Sequence, residues 1–222
     1  MENKGQSVLA RIVENKNFCI GLMIFALVYD LFYSIALSYV IGGNPITHTI
    51  SMIGRATIPG RFPTLYVFFG IVTNLAFLLN INYAYHKDDN FESKMGKFGT
   101  ICSYIGVGFL TMCTLIPSIE FHEVNNIATT FQVIGHWSGA LLFGVFFAIS
   151  LCLYLLMNRK KYKGYLLTFI LLVTLLAAMI VTLLLIPNHK NGVIEILPIV
   201  AAMVIVILIN TELYPKSNKI SV

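Results

Sequence analysis

The side chains of this sequence that could bind or transform a ligand stand inside or beside long apolar runs. Asp30 lies about twelve residues into the first run, roughly 18 Å from its start at about 1.5 Å per residue. Tyr33, Ser34 and Ser38 follow at helical spacings and share its face. Because an ionised group is costly at that depth in lipid, this polar stripe is predicted to face other helices. Asp30 is then either a hydrogen-bonded structural residue or a candidate catalytic one.

The segment after the first run has a helical pattern of its own. His48, Ser51 and Arg55 fall on one face of a predicted short helix that Gly54 ends. The opposite face carries the isoleucines Ile46, Ile50 and Ile53. This helix is predicted to be amphipathic and to lie at the outer boundary of the membrane.

Two interpretations of that short helix stay open. In the first, His48 and Ser51 are catalytic candidates, and the guanidinium groups of Arg55 and Arg61 bind an anionic head group. In the second, the polar face only meets water.

A further histidine lies within a later apolar run. His136 is about seven residues inside that run, roughly 10 Å below its outer end, and Thr129 and Gln132 precede it on the same face. His136 is a candidate catalytic base, and Gln132 a candidate ligand-binding residue. The alternative is an interhelical hydrogen bond, because Gly139 and Gly144 favour close helix packing nearby.

The connection before that run carries acidic residues and no Lys or Arg. Glu120 and His122 are candidate ligand-binding residues there, and a solvated loop is the alternative.

Nitrogen and oxygen donors on these segments raise the hypothesis of a zinc site, with Ser51 or water beside the metal. The candidate ligands are Asp30, His48, His122 and His136. No diagnostic interval such as His-Glu-x-x-His supports it, so the cofactor stays open.

Composition indicates the elements that must position these groups. Hydrophobic residues make up 57% of the chain and charged residues 11%, with a mean hydropathy of +0.80, which excludes an ordinary soluble domain. The sequence predicts an all-α polytopic integral membrane protein, residues 1–222 forming one domain of six transmembrane helices. The predicted spans are residues 18–41, 64–84, 98–115, 129–157, 164–186 and 193–213.

The basic residues predict how these spans are oriented. Of the 15 Lys and Arg, all but Arg55, Arg61 and Lys190 fall on one side of the six-span arrangement. By the positive-inside rule that side is cytoplasmic, so both termini are predicted to be cytoplasmic, in a multi-pass protein of the cell membrane. The basic residues flank apolar runs without a nucleic-acid-binding pattern, so membrane lipid, and not nucleic acid, is the predicted partner.

Short motifs carry a resemblance over most of the chain. They are His48-Thr-Ile-Ser51-x-x-Gly54 after the first span, Pro117 closing the third span, and His136-x-x-Gly139-Ala140-x-x-Phe143 in the fourth. With them the chain resembles a prokaryotic family of six-span membrane proteins of unknown function and, more distantly, the Frag/DRAM/Sfk group. The resemblance implies six helices and a pocket beneath the first outer loop. Eukaryotic members of that group are linked to lipid-anchor remodelling and lipid organisation, which would make His48, Ser51 and His136 a lipid-facing site.

Three functions follow as hypotheses. The first is a protein that binds a lipid or amphiphile in an outward-facing polar cleft, with Arg55 or Arg61 near the head group and Asp30 and His136 at the floor of the cleft. The second is an intramembrane lipid hydrolase or transferase that uses a His and Asp cluster, with or without zinc. The third is a proton-coupled transporter, since intramembrane Asp and His are usual proton-relay groups.

Overall fold

Helices form wherever the sequence is apolar. The structure, a computed structural model, describes residues 14–46, 48–55, 58–116, 118–119, 123–185 and 192–216. Its helices are α1 (Lys16–Val40), α2 (Ile50–Ile53), α3 (Pro63–Lys87), α4 (Lys94–Leu115), α5 (Ile127–Asn158), α6 (Tyr165–Leu185) and α7 (Gly192–Asn210).

All of these helices except α2 are long and apolar enough to cross a membrane, as expected of a multi-pass membrane protein. The predicted spans agree with them, and no predicted boundary differs from the observed one by more than four residues. Within the described ranges the fold is helical and contains no strand, apart from one isolated bridge between Tyr162 and Lys216.

Polar residues fix where several of these helices begin. The side chains of Asn15 and Ser93 accept main-chain N–H bonds in the first turns of α1 and α4. Asn126 and Thr129 form a reciprocal capping box at the start of α5. Pro63 opens α3, because its fixed φ suits a first helical residue and its missing N–H is not needed there.

Consecutive long helices run in opposite directions and pack into one bundle. Each packs on the next along the chain, α7 closes the set against α1, and α3 also contacts α7. We call the end where α1 begins and α7 ends the basic end, because the Lys residues at the start of α1, the end of α3 and the start of α4 lie there. The opposite end is the cover end.

Residues 41–62, which we call the cover loop, close the cover end and contain α2. Ile50 and Ile53 are buried in an apolar cluster with Tyr33, Tyr66 and Phe69. Main-chain hydrogen bonds fasten the loop to its surroundings, from Val193 N–H to the Pro45 carbonyl at 3.1 Å and within the loop from Phe62 N–H to the Ile53 carbonyl at 2.9 Å.

The cover-loop helix differs from the sequence prediction in its start and its polar face. Gly54 ends it as expected, but it begins at Ile50, and Ile46 is 69% exposed rather than part of a buried face. The reason is local, because the Asn44 side chain accepts the Ile46 N–H in a turn and Thr49 caps the helix only afterwards. A position at the membrane boundary stays a prediction.

A π turn at Phe32–Ala36 interrupts α1 below the cover loop. No sequence pattern had indicated it. Such turns occur often at functional sites, and this one begins two residues after Asp30.

Candidate functional site

Asp30 faces the interior of the bundle, as the polar stripe predicts. Its side chain is 0% exposed, and Tyr33, Ser34 and Ser38 on the same face are buried as well. The Thr73 hydroxyl on α3 lies 3.0 Å from one carboxyl oxygen of Asp30 and 2.9 Å from the other. The sequence analysis did not select Thr73, although a polar residue within an apolar run is a signal for an interhelical contact.

His136 bonds to the end of a neighbouring helix. Its Nδ1 lies 2.9 Å from the Cys113 carbonyl and 3.1 Å from the Ile116 carbonyl, at the C-terminus of α4. Both partners are acceptors, so Nδ1 carries the hydrogen and donates it. His136 therefore satisfies a carbonyl that the last turn of a helix leaves without a partner.

Cys113 also places its sulfur beside the His136 ring, at 3.8 Å from Nδ1 and 4.0 Å from Nε2. A sulfur in line with the Nε2 lone pair would be much farther from Nδ1 than from Nε2. Because the two distances are nearly equal, the thiol lies against the ring and is not aligned for proton transfer to Nε2. This geometry is a packing contact, and the hydrolase or transferase hypothesis stays a prediction.

Ser51 and Arg55 are both buried, so neither meets water as the second interpretation of the cover-loop helix proposed. The Ser51 hydroxyl lies 3.2 Å from that of Thr49. The Arg55 guanidinium pairs with the carboxylate of Glu123, just before α5. Arg55 thereby ties the cover loop to α5.

Glu195 also supports the cover loop. Its carboxylate, on the first turns of α7, accepts the main-chain N–H of Ile50 at 2.7 Å. This contact places a negative charge at the N-terminus of the short helix α2, where the unpaired N–H groups favour it. The sequence gave no reason to connect these two residues.

Arg61 differs from Arg55 in its partners. Its Nη1 is buried and has no hydrogen-bond partner in the part of the chain that the structure describes. Burial lowers the pKa of His48, and the positive charge of Arg61 lowers it further. Arg61 thus brings to the cover end a cationic nitrogen that has no acid partner within the described ranges.

A shallow groove follows the half of α3 nearest the cover end and begins at Pro63, two residues after Arg61 in the chain. Its lining residues are Pro63, Thr64, Val67, Phe68 and Ile71. At most about 7 Å of chain separates the Arg61 and Pro63 Cα atoms, and no side chain caps the N-terminus of α3. Tyr29 of α1 packs edge-on against Phe68, with ring centroids 5.1 Å apart. We call this feature the α3 groove.

The remaining predicted site residues contribute less. Gln132 is half-buried on α5, one turn before His136. Glu120 and His122 lie outside the described residues.

The structure does not bring together the predicted zinc ligands that lie within the described residues. Asp30 and His136 contact different neighbours, namely Thr73 and the end of α4. Across the described ranges, no three His, Cys, Asp or Glu side chains lie close enough to hold a metal ion. Because His122 falls outside those ranges, zinc stays a prediction.

Comparisons of the chain with protein-family models, with curated proteins and with solved structures found no match. The resemblance stated above therefore stays a prediction. Each functional role has to be argued from this chain's own contacts.

Proposed function

We propose that the protein binds an anionic amphiphile at the cover end of α3, with the head group at Arg61 and the apolar tail in the α3 groove. The observation that carries this proposal is the buried Nη1 of Arg61, which has no hydrogen-bond partner among the described residues. A buried cationic donor without an acceptor is unfavourable, and a bound phosphate or carboxylate would supply the missing acceptor and charge.

The N-terminus of α3 also favours a bound anion near Arg61. Pro63 is its first residue, so the N–H groups of the following residues lie close to Arg61 along the chain. These N–H groups and the helix dipole favour a negative charge. Arg61 is the stronger of the two candidates for the head group, because Glu123 already neutralises Arg55.

The α3 groove is suited to the apolar tail of an amphiphile. Four of its five lining side chains are apolar, and Phe68 and Ile71 are exposed on the bundle surface, where acyl chains would meet them. Residues 63–71 rise about 12 Å along the helix, close to one leaflet of a hydrocarbon core of about 30 Å. One acyl chain lying along α3 would cover this surface.

The proposal includes an orientation of the protein in the membrane. The Lys and Arg residues favour a cytoplasmic basic end, with both termini inside the cell and the α3 groove in the outer leaflet of the cell membrane.

The test measures lipid retained by the full-length protein. Purified protein in phosphatidylcholine nanodiscs with a small fraction of phosphatidylglycerol is analysed by native mass spectrometry. Arg61→Gln is expected to lower phosphatidylglycerol binding roughly tenfold or more, since a hydrogen bond to a charged group contributes about 1.5–3 kcal/mol.

Arg159→Gln is the matched control, because Arg159 is exposed at the basic end and its replacement removes the same charge. Val67→Trp, which fills the α3 groove, is expected to weaken binding while Arg61 stays in place. Equal retention of phosphatidylglycerol by wild type and Arg61→Gln would contradict the proposal.

A further inference from the structure

Asp30 is a carboxyl group at the middle of the bundle, which the proposed amphiphile site does not use. It follows Lys16 by fourteen residues and precedes Val40 by ten, so it lies roughly 21 Å and 15 Å along the helix from the two ends of α1. With 0% of its surface exposed, it is closed off from bulk solvent.

Among the described residues, one hydroxyl group donates to the carboxyl group of Asp30. The Thr73 Oγ1 lies at nearly equal distances, 3.0 and 2.9 Å, from the two carboxyl oxygens. A hydroxyl has a single hydrogen, whereas an ionised carboxylate can accept about four hydrogen bonds. Thr73 therefore cannot compensate the charge of an ionised Asp30.

Within the described ranges, no basic side chain compensates the charge of an ionised Asp30 either. The helices packed against α1 are α3, α7 and, at the π turn, the short α2. Helix α2 carries no charged side chain, and Arg55 just after it is paired with Glu123. The ionisable groups in the spans of α3 and α7 are Tyr66, Tyr83 and Tyr85 on α3 and Glu195 on α7, and those of α1 nearest to Asp30 are Tyr29 and Tyr33. All of these are neutral or acidic. The nearest basic residues on α3, His86 and Lys87, are at least thirteen residues from Thr73, roughly 20 Å along the helix.

We propose that Asp30 and Thr73 form a binding site for a small monovalent cation, either a proton or a sodium ion. A buried charge of this kind must be balanced, and the described protein groups offer no positive charge to do it. A proton would bond to one carboxyl oxygen, and the new O–H would donate to the Thr73 hydroxyl oxygen. A sodium ion would take the two carboxyl oxygens and the hydroxyl oxygen as three of its ligands.

The π turn beginning at Phe32 is a second feature of the same place. It starts two residues after Asp30, and such turns occur often at functional sites. A cation site at the centre of the bundle is what a cation-coupled transporter requires. It does not depend on the amphiphile site.

The composition of the chain makes a direct test practical. Asp30, Asp88 and Asp89 are its three aspartates. Full-length protein made with carboxyl-labelled aspartate should therefore give three resolvable carboxyl signals in infrared or NMR spectra. Asp88, which is paired with Lys161, and the exposed Asp89 serve as internal references for ionised groups.

The spectra are recorded at neutral pH in potassium buffer, with and without added sodium. If the cation is a proton, one signal belongs to a protonated carboxyl group, disappears in Asp30→Asn and ignores sodium. If it is sodium, the thermal midpoint of the protein rises with sodium and not with potassium, and Asp30→Asn abolishes the rise.

Thr73→Val keeps the shape of the side chain and removes the hydroxyl. It is expected to shift the frequency of the protonated carboxyl band, or to raise the half-effective sodium concentration roughly tenfold. This variant also provides a readout if Asp30→Asn does not accumulate. Three ionised carboxylate signals together with no response to sodium would overturn the proposal.

Discussion

Asp88 joins three chain segments at the basic end through a single buried carboxylate. It directly follows α3 and accepts hydrogen bonds from the hydroxyl of Tyr154 on α5 and that of Tyr162, the latter at 2.8 Å. Lys161 Nζ lies 2.5 Å from the same carboxylate. Burial raises the pKa of Asp88, but these hydrogen bonds and the nearby Lys87 charge outweigh burial and leave the pKa below its ordinary value.

Asp88→Asn is expected to destabilise the protein by roughly 1.5–3 kcal/mol at neutral pH, because an amide replaces a charged acceptor of several hydrogen bonds. The folded protein holds Asp88 ionised at a pH where the unfolded chain would already bind a proton. The stabilisation is therefore present above the ordinary pKa of about 4 and is lost as the pH falls through the folded-state value. Thermal unfolding followed by circular dichroism from pH 7 to about pH 3 measures both effects.

Asp89→Asn is the control for this experiment. Asp89 is exposed and has a φ of 54°, a left-handed conformation that Asn adopts as readily as Asp. The Asp89→Asn substitution should leave the unfolding temperature and its pH dependence unchanged. An Asp88→Asn protein whose pH profile follows that of the wild type would show that the network contributes little.

At the scale of single residues, the sequence predicts whether a side chain is buried better than it predicts which residues that side chain contacts. Helical spacing indicated that Asp30 and Ser38 face the interior, because burial of a polar stripe follows from the cost of exposing it to lipid. The partners of Arg55 and Ile50, namely Glu123 and Glu195, are distant along the chain. No local pattern connects them, since the contacts depend on how the helices pack.

At the scale of helices, small residues set how closely α4 and α5 approach. A Cβ atom on Gly139 would lie 2.9 Å from the Phe109 carbonyl oxygen and 3.0 Å from the Cys113 nitrogen, both main-chain atoms of α4. A Cβ atom on Gly144, further along α5, would meet nothing within 4 Å. Gly139 and Gly144 thus separate a packing requirement from a general effect of glycine in a helix.

Gly139→Ala is expected to lower stability by about 1–3 kcal/mol, because the added methyl group forces two main chains apart. Gly144→Ala should be neutral or slightly stabilising, because alanine is the better helix former and has room there. Thermal unfolding of the two variants in the same detergent makes the comparison. Equal midpoints for both would contradict a tight contact at Gly139.

The long helices could be predicted because each needs only local information, a run of apolar residues as long as a bilayer is thick. The cover loop could be predicted only in part. Its isoleucine pattern indicated a helix, but Asn44 and Thr49 delayed the start of that helix to Ile50. The π turn of α1 leaves no signal in hydrophobic spacing, since all five of its residues also suit a regular helix.

At the scale of the whole molecule, the distribution of charge decides how the bundle lies in a membrane. Lys16, Lys87 and Lys94 mark the ends of three helices at the basic end, whereas Arg55 and Arg61 stand at the cover end. Moving the twelve basic residues of the basic end across a bilayer is less favourable than moving the three of the other end. The α3 groove would then open to the outer leaflet, which makes the orientation a condition of the proposed function.

Single cysteines introduced at the two ends test this orientation in intact cells. Ile46→Cys lies at an exposed position of the cover loop, and Lys94→Cys at an exposed position of the basic end. The native cysteines give little background, because all four lie within long helices and none is exposed. A membrane-impermeant maleimide is expected to label Ile46→Cys in intact cells and Lys94→Cys only after permeabilisation. The reverse pattern would place the cover loop inside the cell and move the anionic amphiphile of the α3 groove to the inner leaflet.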